Sequence, residues 1–97
     1  MRLRFTRKAL ENLTEIAIYL NERNPNAAIR VREAIETSLG YLAEFPYAGR
    51  RQVTEGVRKF VTRKYHYIAY YAVNEATDEL VVLSIKHPAQ ERDHEDA

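Results

Sequence analysis

Residues 65–73 have the sequence YHYIAYYAV, which is the most informative stretch of the chain for its fold. It contains four of the seven tyrosines of the chain and has no charged residue, glycine or proline. Aromatic and β-branched residues favour strands, and both alternating sets of side chains here are largely apolar. A strand that is apolar on both faces belongs in the middle of a sheet. We therefore predict that residues 65–73 form the central strand, with His66 packed within it.

The N-terminal part of the chain predicts a short strand followed by a helix. Residues Arg2–Phe5 alternate with period two, so we expect Leu3 and Phe5 to face the core. From residue 7 to about residue 22 the apolar positions recur at helical spacing, which gives an amphipathic helix. Thr6 precedes this segment and is a good N-cap, because its hydroxyl can accept a hydrogen bond from the first helical turn.

A second helix is predicted directly after the first. Asn24 can cap it, and Pro25 fits its first position, where the missing N–H group costs nothing. Two helices joined by so short a link form an antiparallel hairpin, which needs a sheet to complete its core. The apolar stripe of the second helix consists of Ala28, Val31, Ile35, Leu39 and Leu42.

The remainder of the chain predicts three strands. Pro46 and Gly49 mark residues 44–51 as a loop, residues 57–62 and 80–87 have strand character, and residues 74–78 form a turn. The order is β-α-α-β-β-β, which is an α+β fold with an antiparallel sheet and an N-terminal helical hairpin on one face. We expect a single domain over residues 1–90 and a polar, acidic C-terminal tail over residues 91–97.

Composition excludes several classes of protein. A chain of 97 residues builds one small domain, and its lack of cysteine removes disulfides and thiolate chemistry. No apolar run approaches the roughly 20 residues that span a bilayer, so no membrane association is expected. The absence of cysteine suits a reducing compartment, and we expect a cytoplasmic protein.

The net charge of +1 conceals an uneven distribution. Residues 45–64 carry six basic side chains and one acidic, whereas residues 65–97 carry two basic and seven acidic. This pattern favours an anionic partner near residues 50–64, although a solvated basic strand would give the same composition. The basic cluster consists of Arg50, Arg51, Arg58, Lys59, Arg63 and Lys64.

No motif predicts a metal, a cofactor or a nucleophilic triad. The three histidines lack zinc-ligand spacing, and the three glycines do not form a phosphate-binding loop. His87 at the end of the last strand is better explained as a structural or interface residue than as a general base. Cationic groups and an acid or base can build a metal-free ribonuclease. However, Arg58 and Lys59 are adjacent in a strand and face opposite sides, so they cannot both contact one phosphate.

Five sequence blocks in this order resemble the RelE/ParE superfamily of bacterial type II toxins. The resemblance covers nearly the whole chain and implies the β-α-α-β-β-β fold that periodicity also predicts. It further implies a toxin that a cognate antitoxin neutralises by tight binding. The blocks are NPNAA at 24–28, FPYAGR at 45–50, GVRKFV at 56–61, YHYIAYY at 65–71 and VLSIKH at 82–87.

The superfamily comprises two activities, and the sequence resembles the ParE-like branch more closely. RelE-like members cleave mRNA on the ribosome and commonly carry an arginine early in the central strand, where this chain has Ile68. Their C-terminal acid or base is often a tyrosine or a histidine, whereas the tail here has no tyrosine and offers only His94. Arg92 and Asp93 resemble the Arg-Asp pair that often follows the histidine of ParE-like members, which inhibit DNA gyrase, although a short insertion (Pro88–Glu91) displaces the pair here. Loss of one charge-stabilising group typically costs about 100-fold in rate, which argues against a nuclease.

The resemblance therefore implies a ParE-like toxin that binds and inhibits DNA gyrase and has no catalytic residue. Its target-binding candidates are Arg50, Arg51, Arg58, Arg63, Lys64, His87 and Arg92. The first alternative is a metal-independent endonuclease of mRNA on the ribosome, with the candidate catalytic residues Arg58, Lys59, Lys64, Lys86 and His87. The further alternative is an inactive toxin that is retained as an antitoxin-binding co-repressor.

Overall fold

The computed structural model describes residues 1–89, so the predicted tail, with Arg92 and His94, lies outside the described residues. The predicted α+β fold is confirmed, with the helical hairpin followed by the remaining strands. The elements are β1 (Arg2–Phe5), α1 (Arg7–Arg23), α2 (Pro25–Glu44), β2 (Arg50–Arg51), β3 (Arg58–Val61), β4 (Ile68–Asn74) and β5 (Glu79–Lys86).

The five strands form one mixed sheet in the order β1-β5-β4-β3-β2. Strand β4 is central, as the apolar stretch predicts. The prediction of a wholly antiparallel sheet was wrong in one pairing, because β1 runs parallel to β5. A parallel pair needs a long connection, and the helical hairpin with the following strands supplies it. The register places Leu3 beside Leu80 and Phe5 beside Val82.

Leu3 is less buried than predicted, because β1 lies at the edge of the sheet. This side chain was expected in the core, but it is 37% exposed because no strand among residues 1–89 lies beyond β1. Phe5, two residues later, packs against the core as predicted.

The central strand begins later than predicted. Tyr65 and His66 belong to a turn and have φ angles of 67° and 54°, which lie in the left-handed region. His66 is exposed there, so the expectation that it packs within a strand was wrong. The cause is the Thr62 side chain, whose hydroxyl donates to the Lys64 carbonyl at 2.6 Å and accepts from Tyr67 N at 2.9 Å. These hydrogen bonds close a turn that hydrophobic patterning does not reveal.

Both predicted helix caps are confirmed. The Thr6 hydroxyl accepts from Ala9 N at 3.1 Å, and the Asn24 side chain accepts from Ala27 N at 3.2 Å. Within residues 1–89, neither helix is long and apolar enough to cross a membrane. The buried residues of the core are Ala9, Val31, Ile35, Leu39, Leu42, Tyr67, Ala69, Tyr71, Leu80, Val82 and Ile85.

The short strand β2 was predicted as part of a loop. Its two residues, Arg50 and Arg51, have no apolar alternation, so only their pairing with Lys59 and Arg58 identifies them as a strand. This pairing carries the basic segment onto the edge of the sheet.

Candidate functional site

The two faces of the sheet separate the basic residues predicted to act together. We call the side that packs on α1 and α2 the helix face, and the opposite side the far face. Tyr71 lies on the helix face and Tyr70 on the far face, and both are fully buried. Arg58 is paired with Tyr71, and Lys59 with Tyr70. The prediction that these two cations point in opposite directions is therefore confirmed.

Arg58 on the helix face holds the loop before β2. Its guanidinium donates to the Gly49 carbonyl at 2.8 Å and to the Tyr47 carbonyl at 3.2 Å. It also lies 5.0 Å from the centre of the Tyr47 ring, in a cation–π contact. A cation with these partners contributes to the fold. Arg58 is thus less available to a target than its place in the basic cluster suggested.

Tyr71 is the second anchor of this loop, and sequence reasoning missed it. Its hydroxyl accepts from Gly49 N at 2.9 Å and donates to the Pro46 carbonyl at 2.7 Å. Burial raises the pKa of Tyr71, which keeps the hydroxyl protonated and able to donate. The sequence did contain a signal for this contact. A tyrosine in a buried central strand has a hydroxyl that needs a hydrogen-bond partner.

Tyr47, at the surface of the same loop, donates a hydrogen bond to the Glu75 carboxylate. This hydrogen bond raises the pKa of Tyr47, and it brings an acidic side chain next to the basic loop. Glu55 also lies around the open depression that Arg51 and Arg58 share. The β2 end of the sheet is therefore mixed in charge.

Arg63 and Lys64 form a separate, exposed basic tip in the turn between β3 and β4. Tyr65 follows them and is 43% exposed. The hydrogen bonds of Thr62 fix the backbone of this turn. The tip therefore presents two cations and an aromatic ring from a defined backbone.

On the far face, Arg50 and Lys59 are cross-strand neighbours, and Lys86 lies further along, opposite Ile68. Lys86 is only 5% exposed. Its burial, and secondarily the charge of Lys8, lower the pKa of Lys86. Buried Ser84, opposite Tyr70, has a hydroxyl without a hydrogen-bond partner among residues 1–89.

His87 lies beside a cavity between α1 and β5. Its ring meets the Tyr67 ring edge-on, with centroids 5.4 Å apart. Glu15 and Tyr19 of α1 line the same cavity, whose volume is about 410 Å³. The His87 side chain is otherwise exposed, and its structural or interface role stays a prediction.

Within residues 1–89 the candidate residues thus lie in four places: the β2 end of the sheet with Arg51 and Arg58, the basic tip, the far face and the His87 cavity. Lys86 shares the far face with Lys59 and also lines the cavity beside His87, whereas Arg58 and Lys64 lie elsewhere. No group of three or more His, Cys, Asp or Glu side chains that could hold a metal occurs in the described part of the chain.

Comparison with known proteins agrees with this fold. A sequence model for the ParE toxin of type II toxin–antitoxin systems, parDE, matches residues 3–92. The protein Y4kP of Sinorhizobium fredii is 33% identical over 90 residues, which cover 93% of this chain and 91% of that protein. Toxin RelE2 of Caulobacter vibrioides is 34% identical over 87 residues, covering 89% and 93%.

A solved structure of the chromosomal ParDE toxin–antitoxin system from P. aeruginosa superposes with a TM-score of 0.76. The two chains are 26% identical, and the match covers 90% of this chain and 95% of that one. The family match extends over far more than half of the sequence. The chain therefore belongs to the ParE toxin family and is a toxin of a type II toxin–antitoxin system.

Proposed function

We propose that this toxin acts by binding and inhibiting DNA gyrase, and that a cognate antitoxin neutralises it. The observation that carries the proposal is the match to the ParE toxin family over residues 3–92. The likeness to a chain of a ParDE system supports an antitoxin partner. Because gyrase acts on chromosomal DNA, the proposal also places the toxin in the cytoplasm.

The arrangement of cations supports a binding mechanism. A metal-free nuclease needs its charge-stabilising groups and its acid or base around one phosphate. Here Arg58 contacts loop carbonyls, Lys59 lies on the far face, and Lys64 lies in the β3–β4 turn. A binding surface has no such requirement, since separate patches can contact separate parts of a large partner.

The basic tip is the strongest candidate for the gyrase contact. Arg63 and Lys64 are exposed, and neither forms an ion pair with an acidic side chain among residues 1–89. Tyr65 adds an exposed ring, and aromatic and arginine residues are enriched in protein interfaces. The hydrogen bonds of Thr62 hold the backbone of this turn. The backbone therefore loses less conformational entropy when the tip binds a partner.

The double variant Arg63→Ala/Lys64→Ala is expected to inhibit gyrase more weakly, because the variant removes two exposed interface cations. We expect the toxin concentration for half-maximal inhibition of supercoiling to rise about tenfold or more. The free energy of unfolding should change by less than about 0.5 kcal/mol, since both side chains are at the surface. Supercoiling assays and thermal denaturation measure the two quantities.

The matched control is Arg7→Ala/Arg32→Ala, which removes two exposed arginines from the helices. It loses the same charge and should inhibit like the wild type. Equal weakening by both double variants would indicate a nonspecific charge effect, and unchanged inhibition by the first would remove the basic tip from the gyrase contact.

The second candidate function is cleavage of mRNA on the ribosome. Two observations favour it: the 34% identity to toxin RelE2, and the cavity that two of the candidate catalytic residues, Lys86 and His87, line together. Toeprinting on translating ribosomes tests it directly. New mRNA ends in the presence of the toxin would establish cleavage, and intact mRNA together with gyrase inhibition would exclude it as the toxic activity.

A further inference from the structure

An open groove runs along α2, on the side of the helix that faces β3 and the basic tip. At its first end, Arg30 of α2 lies with Arg63 and Lys64 of the tip around a depression of about 410 Å³. None of these three cations forms an ion pair with an acidic side chain among residues 1–89. Within the same residues, Glu33 is the only acidic side chain that lines the depression, so this end has an excess of positive charge.

Three aromatic rings are in contact at the other end of the groove. The Tyr41 ring stacks on the Phe60 ring with centroids 5.9 Å apart, and it lies 5.0 Å from the Phe45 ring. Tyr41 is 48% exposed and Phe45 is 53% exposed. Strand β2 pairs only with Arg58 and Lys59, so no strand among residues 1–89 covers this cluster. The rings therefore offer an accessible surface for stacking.

The geometry of α2 joins the two ends. Residues three or four positions apart lie on the same face of a helix, and Arg30, Ala34, Thr37 and Tyr41 follow this spacing. Thr37 is exposed between the two ends and offers a hydroxyl group. The helical side of the groove, from residue 30 to residue 44, is about 20 Å long. Cations, a hydroxyl and aromatic rings thus follow one another along a single surface, which we call the α2 groove.

The order of these groups defines the chemistry of a fitting ligand. Cations and hydroxyls bind phosphate groups, and exposed aromatic rings stack on nucleobases. A single-stranded nucleic acid supplies phosphates and accessible bases along one chain. Duplex DNA keeps its bases stacked inside the helix, so it would use only the cationic end of the groove.

We propose that the α2 groove binds a single-stranded segment of DNA, with phosphates beside Arg30, Arg63 and Lys64 and with bases stacked on Tyr41 and Phe45. Gyrase acts by cleaving DNA, so this contact would hold the toxin against the DNA of the gyrase complex as well as against the enzyme. The choice of DNA as the ligand rests on the proposed gyrase target. Phosphate contacts and stacking are available with every base, so binding is independent of sequence.

Fluorescence anisotropy tests the proposal in the absence of gyrase. Purified toxin, freed of antitoxin, is titrated into a fluorescein-labelled oligodeoxythymidylate of about 12 nucleotides, which is long enough to span the groove. Three phosphate contacts to a single strand predict that the logarithm of the binding constant falls with the logarithm of salt concentration with a slope of about −2. Preferential binding of an oligouridylate RNA of the same length would overturn DNA as the ligand.

Tyr41→Ala removes a stacking ring without changing the charge. We expect it to weaken oligonucleotide binding about tenfold and to leave the salt slope unchanged. Tyr41→Phe keeps the ring and should bind like the wild type. The matched control is Tyr19→Ala, which removes a ring that is 54% exposed on α1 and should not weaken binding. Thermal denaturation confirms that each variant folds.

Arg30→Ala covers the case in which Tyr41→Ala fails to fold. Loss of one phosphate contact should weaken binding at low salt several-fold and make the salt slope shallower by about 0.7. Arg7→Ala, an exposed arginine of α1, is its matched control and should change neither quantity. Wild-type affinity and salt slope in Arg30→Ala, or wild-type affinity in a folded Tyr41→Ala variant, would overturn the proposal.

The oligonucleotide and gyrase assays together separate the two proposals. A toxin that inhibits gyrase but does not bind the oligonucleotide would overturn the α2 groove as a DNA site and leave the gyrase proposal intact. A toxin that binds the oligonucleotide through the groove but does not inhibit gyrase would overturn the gyrase proposal and leave the DNA site intact.

Discussion

Gly49→Ala is expected to lower the free energy of unfolding by about 2–4 kcal/mol, combining overpacking with loss of buried hydrogen bonds. A Cβ atom at this position would lie 2.5 Å from the Tyr71 hydroxyl and 2.9 Å from the Lys59 carbonyl oxygen. The Lys59 carbonyl belongs to the backbone of β3. The Tyr71 hydroxyl already accepts a hydrogen bond from Gly49 N and donates one to the Pro46 carbonyl. Neither can move without breaking the loop anchor. Urea or thermal denaturation followed by circular dichroism measures the effect.

The control for this substitution is Gly40→Ala. Gly40 is an exposed residue within α2, and an added Cβ would meet no atom within 4 Å. Alanine favours a helix over glycine, so this variant should be more stable by about 0.5–1 kcal/mol. Similar effects of the two substitutions would contradict the packing described around Tyr71.

Leu42→Ala is the second substitution with a large expected effect. Leu42 of α2 is fully buried in the core beneath the sheet. Replacement of a buried leucine by alanine costs about 2–5 kcal/mol, from lost apolar burial and from the remaining cavity. In a domain of this size, that loss lowers the melting temperature by about 10 °C or more.

Leu10→Ala is the matched control on α1. Leu10 is 52% exposed, so its truncation should change stability by less than about 1 kcal/mol. Differential scanning calorimetry on both variants separates the two cases. A Leu42→Ala variant as stable as Leu10→Ala would show that α2 does not dock on the sheet as described.

Much of the fold is predictable from sequence because its signals are local. Thr6, Asn24 and Pro25 determine where the helices begin, through groups that act within one turn. The run of aromatic and β-branched residues over 65–73, which is apolar on both faces, identifies the central strand. These elements leave few arrangements for a chain of this length.

The parts that were not predicted depend on contacts between distant residues. The parallel pairing of β1 with β5 joins residues more than 70 positions apart, and periodicity carries no information about strand direction. The left-handed turn at Tyr65 and His66 depends on the Thr62 hydroxyl, a residue that would be unremarkable in a strand.

The same reason limits prediction of the candidate site. Sequence grouped Arg58 with Arg63 and Lys64 because they are close along the chain. The structure gives Arg58 two carbonyl partners in the loop, whereas Arg63 and Lys64 remain exposed at the basic tip. Arg58 is held by the fold because the loop before β2 brings its carbonyls to the guanidinium. The hydrogen bonds of Tyr71 fix the position of that loop. Target contact by these residues stays a prediction.

A supercoiling assay measures the proposed inhibition of DNA gyrase itself. Purified toxin, freed of antitoxin, is added to gyrase, ATP and relaxed plasmid, and supercoiled and cleaved DNA are quantified. We expect supercoiling to fall as toxin approaches equimolar amounts with gyrase, with cleaved plasmid accumulating, and antitoxin to restore activity. Full supercoiling activity at several-fold molar excess of folded toxin would show that gyrase is not its target.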